Sequence, residues 1–333
     1  MGMQTVSTES PAAISLPGDE HGFTWTRRAM ASQEARVLLG LILLVVFFSI
    51  GTPHFLDQRN LFNVARQITM LSIVAFGMTV VLLAGGIDLS VGSVMAVTGV
   101  MVAALMKRYE VAVPMAVLLS VMAGLAIGTI NGMVTNYLGI PAFIATLAMM
   151  TIARGLVLLY TTARPIYDFP KAFDFIGQGY VGPVPFPVII LAMIFALMYA
   201  MLKFTVLGRY AYAIGGNAEV CRLSGINVKL NSTLLFAISG LCAGIAGVIL
   251  ASRMAAGEPT AAQGMELDAI AAVVVGGTSL FGGKGTLVGT LLGAFLMGIL
   301  ANGLSLMGIE PFIQMAISGV IIIIAVTISA RCR

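Results

Sequence analysis

Ten apolar stretches divide this chain, near 36–52, 61–84, 91–106, 112–135, 141–161, 187–206, 230–252, 267–281, 286–305 and 311–329. Most approach the ~20 residues that carry a helix across about 30 Å of hydrocarbon. Lipid offers no water to unpaired backbone groups, so stretches of this length must be helical. The expected fold is all-α: a polytopic membrane protein of about ten transmembrane helices, with broken or re-entrant segments. The eighth stretch, 267–281, is short enough to be re-entrant or to tilt against its neighbour. Composition agrees, because 10% of the residues are charged and the mean hydropathy is +1.02. A soluble domain carries about 25% charged residues.

Residues 1–33 are polar, lack a periodic apolar face and read as a disordered cytoplasmic tail ahead of a transmembrane domain at 34–333. An even number of crossings places both termini on one side. Arg27, Arg28 and Arg36 precede the first stretch, and that flank assigns the termini to the cytoplasm. Lys203, Arg209, Arg222, Lys229, Lys284, Arg331 and Arg333 then fall inside as well. Arg59, Arg66, Lys107, Arg108, Arg164, Lys171 and Arg253 fall outside, and Arg154 sits within a span. The net charge of +4 therefore reflects orientation in a bilayer, and no nucleic-acid partner is expected. The exterior loop 163–186 is rich in aromatics and prolines and reads as an ordered cap. Cys221, Cys242 and Cys332 cannot build a disulfide framework and read as inert.

One polar insert interrupts the oil, from Gly208 to Ile226. It encodes a very short helix with both ends specified. Gly215 and Gly216 read as a flexible approach, Asn217 as the N-cap, and Ala218 and Glu219 as the first turn, where a carboxylate suits the positive helix end. Gly225 stands where a C-terminal glycine stops a helix. The result is roughly two turns, about 10 Å, unstable alone in water. Such a helix must dock on something. Val220 and Leu223 can form its apolar contact, with Glu219 and Arg222 at the rim.

A second break lies at Ala84–Ser93, where Gly85 and Gly86 interrupt the second stretch ahead of Asp88 and Ser90. A carboxylate at the bilayer centre costs about 2.5–3.5 kcal/mol on insertion scales, so Asp88 needs capping, pairing or water. Two readings stand: Asp88 or Ser90 caps the next helix, or the broken segment lines or moves a permeation path. Glu266 and Asp268, opening the eighth stretch, invite the capping explanation. Asn131, Thr146, Asn302 and Gln314 are further path candidates, each equally able to bond between helices. Gly124, Gly128 and Gly132 share one helix face, as do Gly240 and Gly244, and Gly289 and Gly293. Small residues four apart let helices approach closely in lipid.

Taken together, the segments AGGIDLSVGS and GRYAYAIGGNAEVCRLSGINV resemble the permease subunits of bacterial monosaccharide importers of the ATP-binding-cassette class, the ribose, xylose, arabinose and galactose group. The resemblance covers roughly 36–330 and includes Val275–Gly285. It implies a bacterial inner-membrane importer in which a permease dimer, expected to be a homodimer, forms the pore. A separate cytoplasmic ATPase drives it, and a periplasmic binding protein delivers the sugar. In that family the short cytoplasmic helix couples the pore to the ATPase. Asn217, Ala218, Glu219, Arg222, Leu223 and Gly225 match its position, and Cys221 stands where a small or hydroxylated residue is expected.

No catalytic residue, metal ligand or cofactor is expected in the chain itself. Its nearest phosphate-loop candidate, Thr278–Gly285, has Thr278 in place of the first glycine and Gly285 in place of the magnesium-binding hydroxyl, and reads as a flexible glycine turn. An intramembrane protease lacks its dyad: the histidines are His21 in the tail and His54 at a membrane edge. The alternative is a proton- or sodium-coupled secondary transporter using Asp88, which leaves the capped helix unexplained.

Overall fold

The computed structural model describes residues 33–331, so the expected tail up to residue 32 and Cys332 lie outside the described residues. Twelve helices run through the described chain: α1 (Gln33–Gly51), α2 (Gln58–Leu83), α3 (Val91–Lys107), α4 (Val113–Tyr137), α5 (Ala142–Thr161), α6 (Lys171–Gln178), α7 (Phe186–Phe204), α8 (Val206–Leu223), α9 (Val228–Met254), α10 (Met265–Val275), α11 (Leu287–Leu306) and α12 (Pro311–Arg331). Each of the ten apolar stretches contains one of them. The chain is an all-α, multi-pass membrane protein.

Seven described helices are long and apolar enough to cross a bilayer: α1, α2, α4, α5, α7, α9 and α11. The 17-residue α3 is apolar but shorter. At 11 residues, α10 reaches about 16 Å and stops well short of a crossing. The glycines that follow Val275 end it, as the short eighth stretch led one to expect.

The most apolar stretch of α2 is 89% buried inside the protein, against 11% for α1, so α2 is central and α1 peripheral. Against α2 pack α9 and α11, and α9 in turn carries α4 on its other side. Glycine decides that last contact. A Cβ on Gly128 would come 2.9 Å from Gly240 Cα, and one on Gly124 equally close to Gly244 Cα. The two sequence stripes therefore face each other backbone to backbone. Small residues gain dispersion contact there that larger ones would block. Similarly, Gly289 and Gly293 of α11 meet the backbone of Gly276 and Ala272, seating α11 on α10.

The segment 163–186 is ordered. Strand β1 (Ile166–Tyr167) pairs antiparallel with β4 (Ala256–Gly257), and β2 (Tyr180–Val181) pairs with β3 (Val184–Pro185). Phe173 of α6 is fully buried against Val102, Met106, Ala116 and Val248. Ser252 fixes α6 to α9 by accepting from the Gly177 amide (2.8 Å) and donating to the Phe173 carbonyl (2.6 Å). Lys107, at the end of α3, forms an ion pair with Asp168.

The basic residues sort to two ends of the bundle. Arg36 and Lys284 line one cavity with Gly215 and Gly216, beside the start of α1. At the other end, Lys107 reaches Asp168 and the Arg66 guanidinium donates to the Gln178 carbonyl at 2.9 Å. Arg36 and Lys284, both expected inside, thus lie beside Gly215 and Gly216, and Lys107 and Arg66, both expected outside, lie against 163–186.

Candidate functional site

The short helix exists, with a different approach from the one expected. Asn217 breaks α8, at φ −161° and ψ 101°, into a longer segment and a terminal one of about two turns. Gly215 and Gly216 are not a flexible lead-in; they close the preceding helical segment. The Asn217 side chain caps the new start, its Oδ1 accepting from the Val220 amide at 3.0 Å. Glu219 and Arg222 pair along the helix at 2.6 Å. At the far end Gly225 takes φ +82°, the left-handed backbone a glycine adopts without strain. Its amide bonds the Arg222 carbonyl (3.1 Å) and the next amide, of Ile226, bonds Cys221 (3.0 Å). Those two bonds form a complete Schellman stop. Cys221 is buried, while Val220 and Leu223 are 55% and 78% exposed. Among the described residues, the helix leaves two apolar side chains and an ion pair exposed.

Gly215 links this helix to the centre of the bundle. A Cβ there would collide with the Leu83 carbonyl and the Gly283 amide, whereas one on Gly216 would meet nothing within 4 Å. Leu83 ends α2, and its carbonyl accepts from the Gly283 amide at 2.9 Å. The turn Thr278–Gly285, expected to be flexible, is held at three points. Ser279 N bonds Lys284 O (2.8 Å), Gly283 N bonds Leu83 O, and the Tyr212 hydroxyl donates to Gly285 O (3.0 Å). Gly282 and Gly283 take φ of +88° and +73°, which is why this turn is written in glycine.

Five residues along the chain from Leu83, Asp88 is 1% exposed. Its Oδ1 accepts from both the Ser90 amide (3.0 Å) and hydroxyl (2.6 Å), and its Oδ2 accepts from the Ser239 hydroxyl (2.8 Å). Asn131 Nδ2 donates to Ser90 Oγ at 2.8 Å. Thr146 Oγ1 accepts from the Leu89 amide and lies 3.1 Å from the Ile87 carbonyl. The break therefore gathers α4, α5 and α9 around one carboxylate. Ser90 occupies the N-cap position of α3 but makes no side-chain cap bond. Asp88 closes a local Asx turn with Ser90 and ties it to α9. Ser239 is the twelfth residue of the 27-residue α9, roughly 16 Å from its start and near mid-helix.

Of the sequence candidates, Gly85, Gly86, Asp88, Ser90, Asn131 and Thr146 come together. Asn302 does not: it exchanges two amide hydrogen bonds with Asn60, at 2.9 and 3.0 Å, joining α11 to the start of α2. Gln314 bonds the Ile309 carbonyl at 2.8 Å, and its carboxamide also meets the Ser305 hydroxyl. Glu266 and Asp268 lie in the first turn of α10 without a side-chain cap bond. Two residues escaped sequence reasoning. Ser239 reaches Asp88 because Gly77 of α2 lets α9 approach: a Cβ on Gly77 would come 2.9 Å from Ser239 Cα. Arg154, the charge within a span, donates to the carbonyls of Pro259 (2.7 Å) and Ala261 (2.9 Å).

Sequence comparison decides the family. The model of the family described as the branched-chain amino acid transport system permease component matches residues 60–326. The chain belongs to this permease family. The permease is 44% identical over 297 residues to the ribose import permease protein RbsC of Haemophilus influenzae, covering 88% of this chain and 92% of that one. It is 42% identical over 301 residues to the protein of the same name from Bacillus subtilis, covering 90% and 93%. The D-allose transport system permease protein AlsC of Escherichia coli is 36% identical over 288 residues, covering 86% and 88%. Relatives of this length and similarity bear out the resemblance to monosaccharide-importer permeases read from the two motifs.

Proposed function

We propose that this permease translocates a monosaccharide across the bacterial inner membrane as the pore-forming subunit of an ATP-driven importer. The observation that carries the proposal is the Asn217-capped, Gly225-stopped helix, which leaves Val220 and Leu223 exposed among the described residues. A helix so short is ordered by what covers it, and an ATPase subunit is the cover this reading assigns. The family description names branched-chain amino acids, whereas the whole-length relatives named above carry ribose and allose in their names. The sugar reading follows those relatives.

In this reading the short helix and both termini face the cytoplasm, and 163–186 faces the periplasm, where a binding protein delivers the sugar. Two copies of the chain enclose the pore. Motion of the ATPase shifts the helix, and Gly215 passes the shift to the end of α2 and to the Gly283 turn. Beyond them lies the broken segment, which Asp88 and Thr146 fasten to α9 and α5. A rigid contact chain with small residues at each step can carry a displacement of about an ångström between packed elements. Asp88 spends both carboxylate oxygens on hydroxyl and amide donors, which favours this fastening role over gradient coupling.

The test is uptake of radiolabelled D-ribose, D-allose and D-xylose into proteoliposomes holding the permease with the ATPase and binding protein encoded beside it. ATP-dependent uptake of one of these with proton and sodium gradients dissipated is expected. Uptake that follows a gradient and ignores ATP would overturn the reading.

A further inference from the structure

A cavity of about 440 Å³ lies among α2, α9, α10, α11 and α12. It belongs to neither site described above. Three of its polar lining residues are Gln67 of α2, Arg253 of α9 and Asp268 of α10, all half-buried. Among the described residues none of these three side chains makes a hydrogen bond or ion pair, including with one another. Methionines, among them Met265 and Met297, furnish much of the remaining wall. Gln314 also lines it, but its carboxamide is held by Ile309 and Ser305.

Unpaired polar groups inside a membrane protein are costly, and where they persist they mark the path of a polar solute. The cavity is also placed and held for entry. Arg66, next to Gln67, bonds the Gln178 carbonyl, and the Gln178 side chain bonds the Ser252 carbonyl at 3.1 Å, one residue before Arg253. It therefore sits at the 163–186 end. Its wall at Ala261 and Ala262 is fastened by Arg154, whose guanidinium takes the Pro259 and Ala261 carbonyls. That accounts for an arginine within α5.

Resting on the sugar-importer reading, we infer that this cavity is a transient binding station for a neutral polyhydroxylated solute on its way in. Asp268 accepts from hydroxyl groups, Arg253 donates to hydroxyl or ring oxygens, and the Gln67 carboxamide does both. The methionine walls meet the C–H faces of the solute. One cation and one anion leave the lining without net charge, which suits a neutral occupant. Three separated groups hold a solute weakly enough to release it, as conduction through a path requires.

The experiment uses the assembled transporter in proteoliposomes, with D-ribose, D-allose, D-xylose and L-leucine as probes. Gln67→Ala and Asp268→Ala should each slow sugar uptake by about tenfold, the loss of one or two hydrogen bonds to the solute. They should also alter the preference among the three sugars, with ATPase co-purification and elution profile unchanged. Unaltered rate and preference in both variants would overturn the cavity while leaving the importer reading intact. Leucine uptake without sugar uptake by the wild type would overturn the importer reading and the polyol assignment with it. Should either variant elute abnormally, Ser318→Cys, another lining position, replaces it. Attaching a small thiosulfonate to the assembled transporter should then stop sugar uptake, against a wild-type control treated identically. Full uptake at complete labelling would again overturn the cavity.

Discussion

The Ser239 hydroxyl lies 2.8 Å from Asp88 Oδ2, joining the broken segment after α2 to the middle of α9 across 151 residues of sequence. Its partner oxygen is filled by Ser90. A buried carboxylate with three donors aimed at it is a structural junction. Removing the acceptor leaves those donors unsatisfied, which costs more than the bonds themselves contribute.

Asp88→Asn and Asp88→Leu should therefore differ sharply. Asparagine keeps one oxygen for the Ser90 pair, and its amide can donate to the Ser239 hydroxyl, so most stability and uptake should remain. Leucine strands the donors and should lower stability by about 3 kcal/mol or more. Ser239→Ala removes a single interhelical bond and should cost about 0.6 kcal/mol, the usual value in a membrane interior. Thermal melts followed by size-exclusion chromatography in detergent rank the three. Equal melting of the asparagine and leucine variants would contradict the junction.

Neighbouring glycines give a second contrast. Gly215→Ala places a methyl group against the hydrogen-bonded Leu83 carbonyl and Gly283 amide, whereas Gly216→Ala meets open space. The first should depress melting temperature and uptake together. The second should be neutral or stabilising by up to about 1 kcal/mol, the usual gain of alanine over glycine in a helix. Indistinguishable variants would remove Gly215 from the contact chain between the short helix and α2.

The Lys107–Asp168 pair makes a pH prediction. The Lys107 ammonium, by hydrogen bond and charge, holds the Asp168 carboxyl below its ordinary 3.8. A depressed folded value means that stabilisation is fully present above 3.8 and is lost as the pH falls through the lower folded value. The pair is exposed, so the effect is small and screened by salt. Asp168 also sits at φ +72°, a backbone asparagine tolerates at least as well. Asp168→Asn should therefore shift melting slightly at neutral pH and low salt, with the difference fading below pH 3.8 and in high salt. A difference that persists at pH 2 would point to the backbone and away from the ion pair.

The parts of this protein legible in its sequence are those whose physics is local. Asn217 and Gly225 announce a helix start and stop within nine residues, and both geometries are present. The ten apolar stretches mark ten helices because lipid forbids other backbones at that depth. Pairings across the fold were not legible. The stripe at Gly124, Gly128 and Gly132 shows that something approaches closely, but not that Gly240 and Gly244 do. A lone serine in an apolar run, such as Ser239, carries no mark until Gly77 brings it to Asp88. Asn302 kept two readings, path residue or interhelical bond, because its partner, Asn60, lies 242 residues away. Gly215 misled for a related reason: glycine serves flexibility and close approach alike, and only the position of Leu83 and Gly283 separates the two.

The exposed pair on the short helix makes the last prediction. Val220 and Leu223 lie three apart, on one face of a helix whose buried side is fixed by Cys221. If that face enters a groove on an ATPase, Leu223→Asp buries an unpaired charge in the contact, at a cost of about 3 kcal/mol or more. The ATPase should then fail to co-purify with the permease, and ATP-driven uptake should fall in parallel. Membrane insertion and melting of the isolated permease should not change, since the side chain is 78% exposed among the described residues. Arg222→Ala, which removes a rim charge paired with Glu219, should weaken association far less, by about 1 kcal/mol or under. Undiminished ATPase association in Leu223→Asp would exclude this helix as the coupling element.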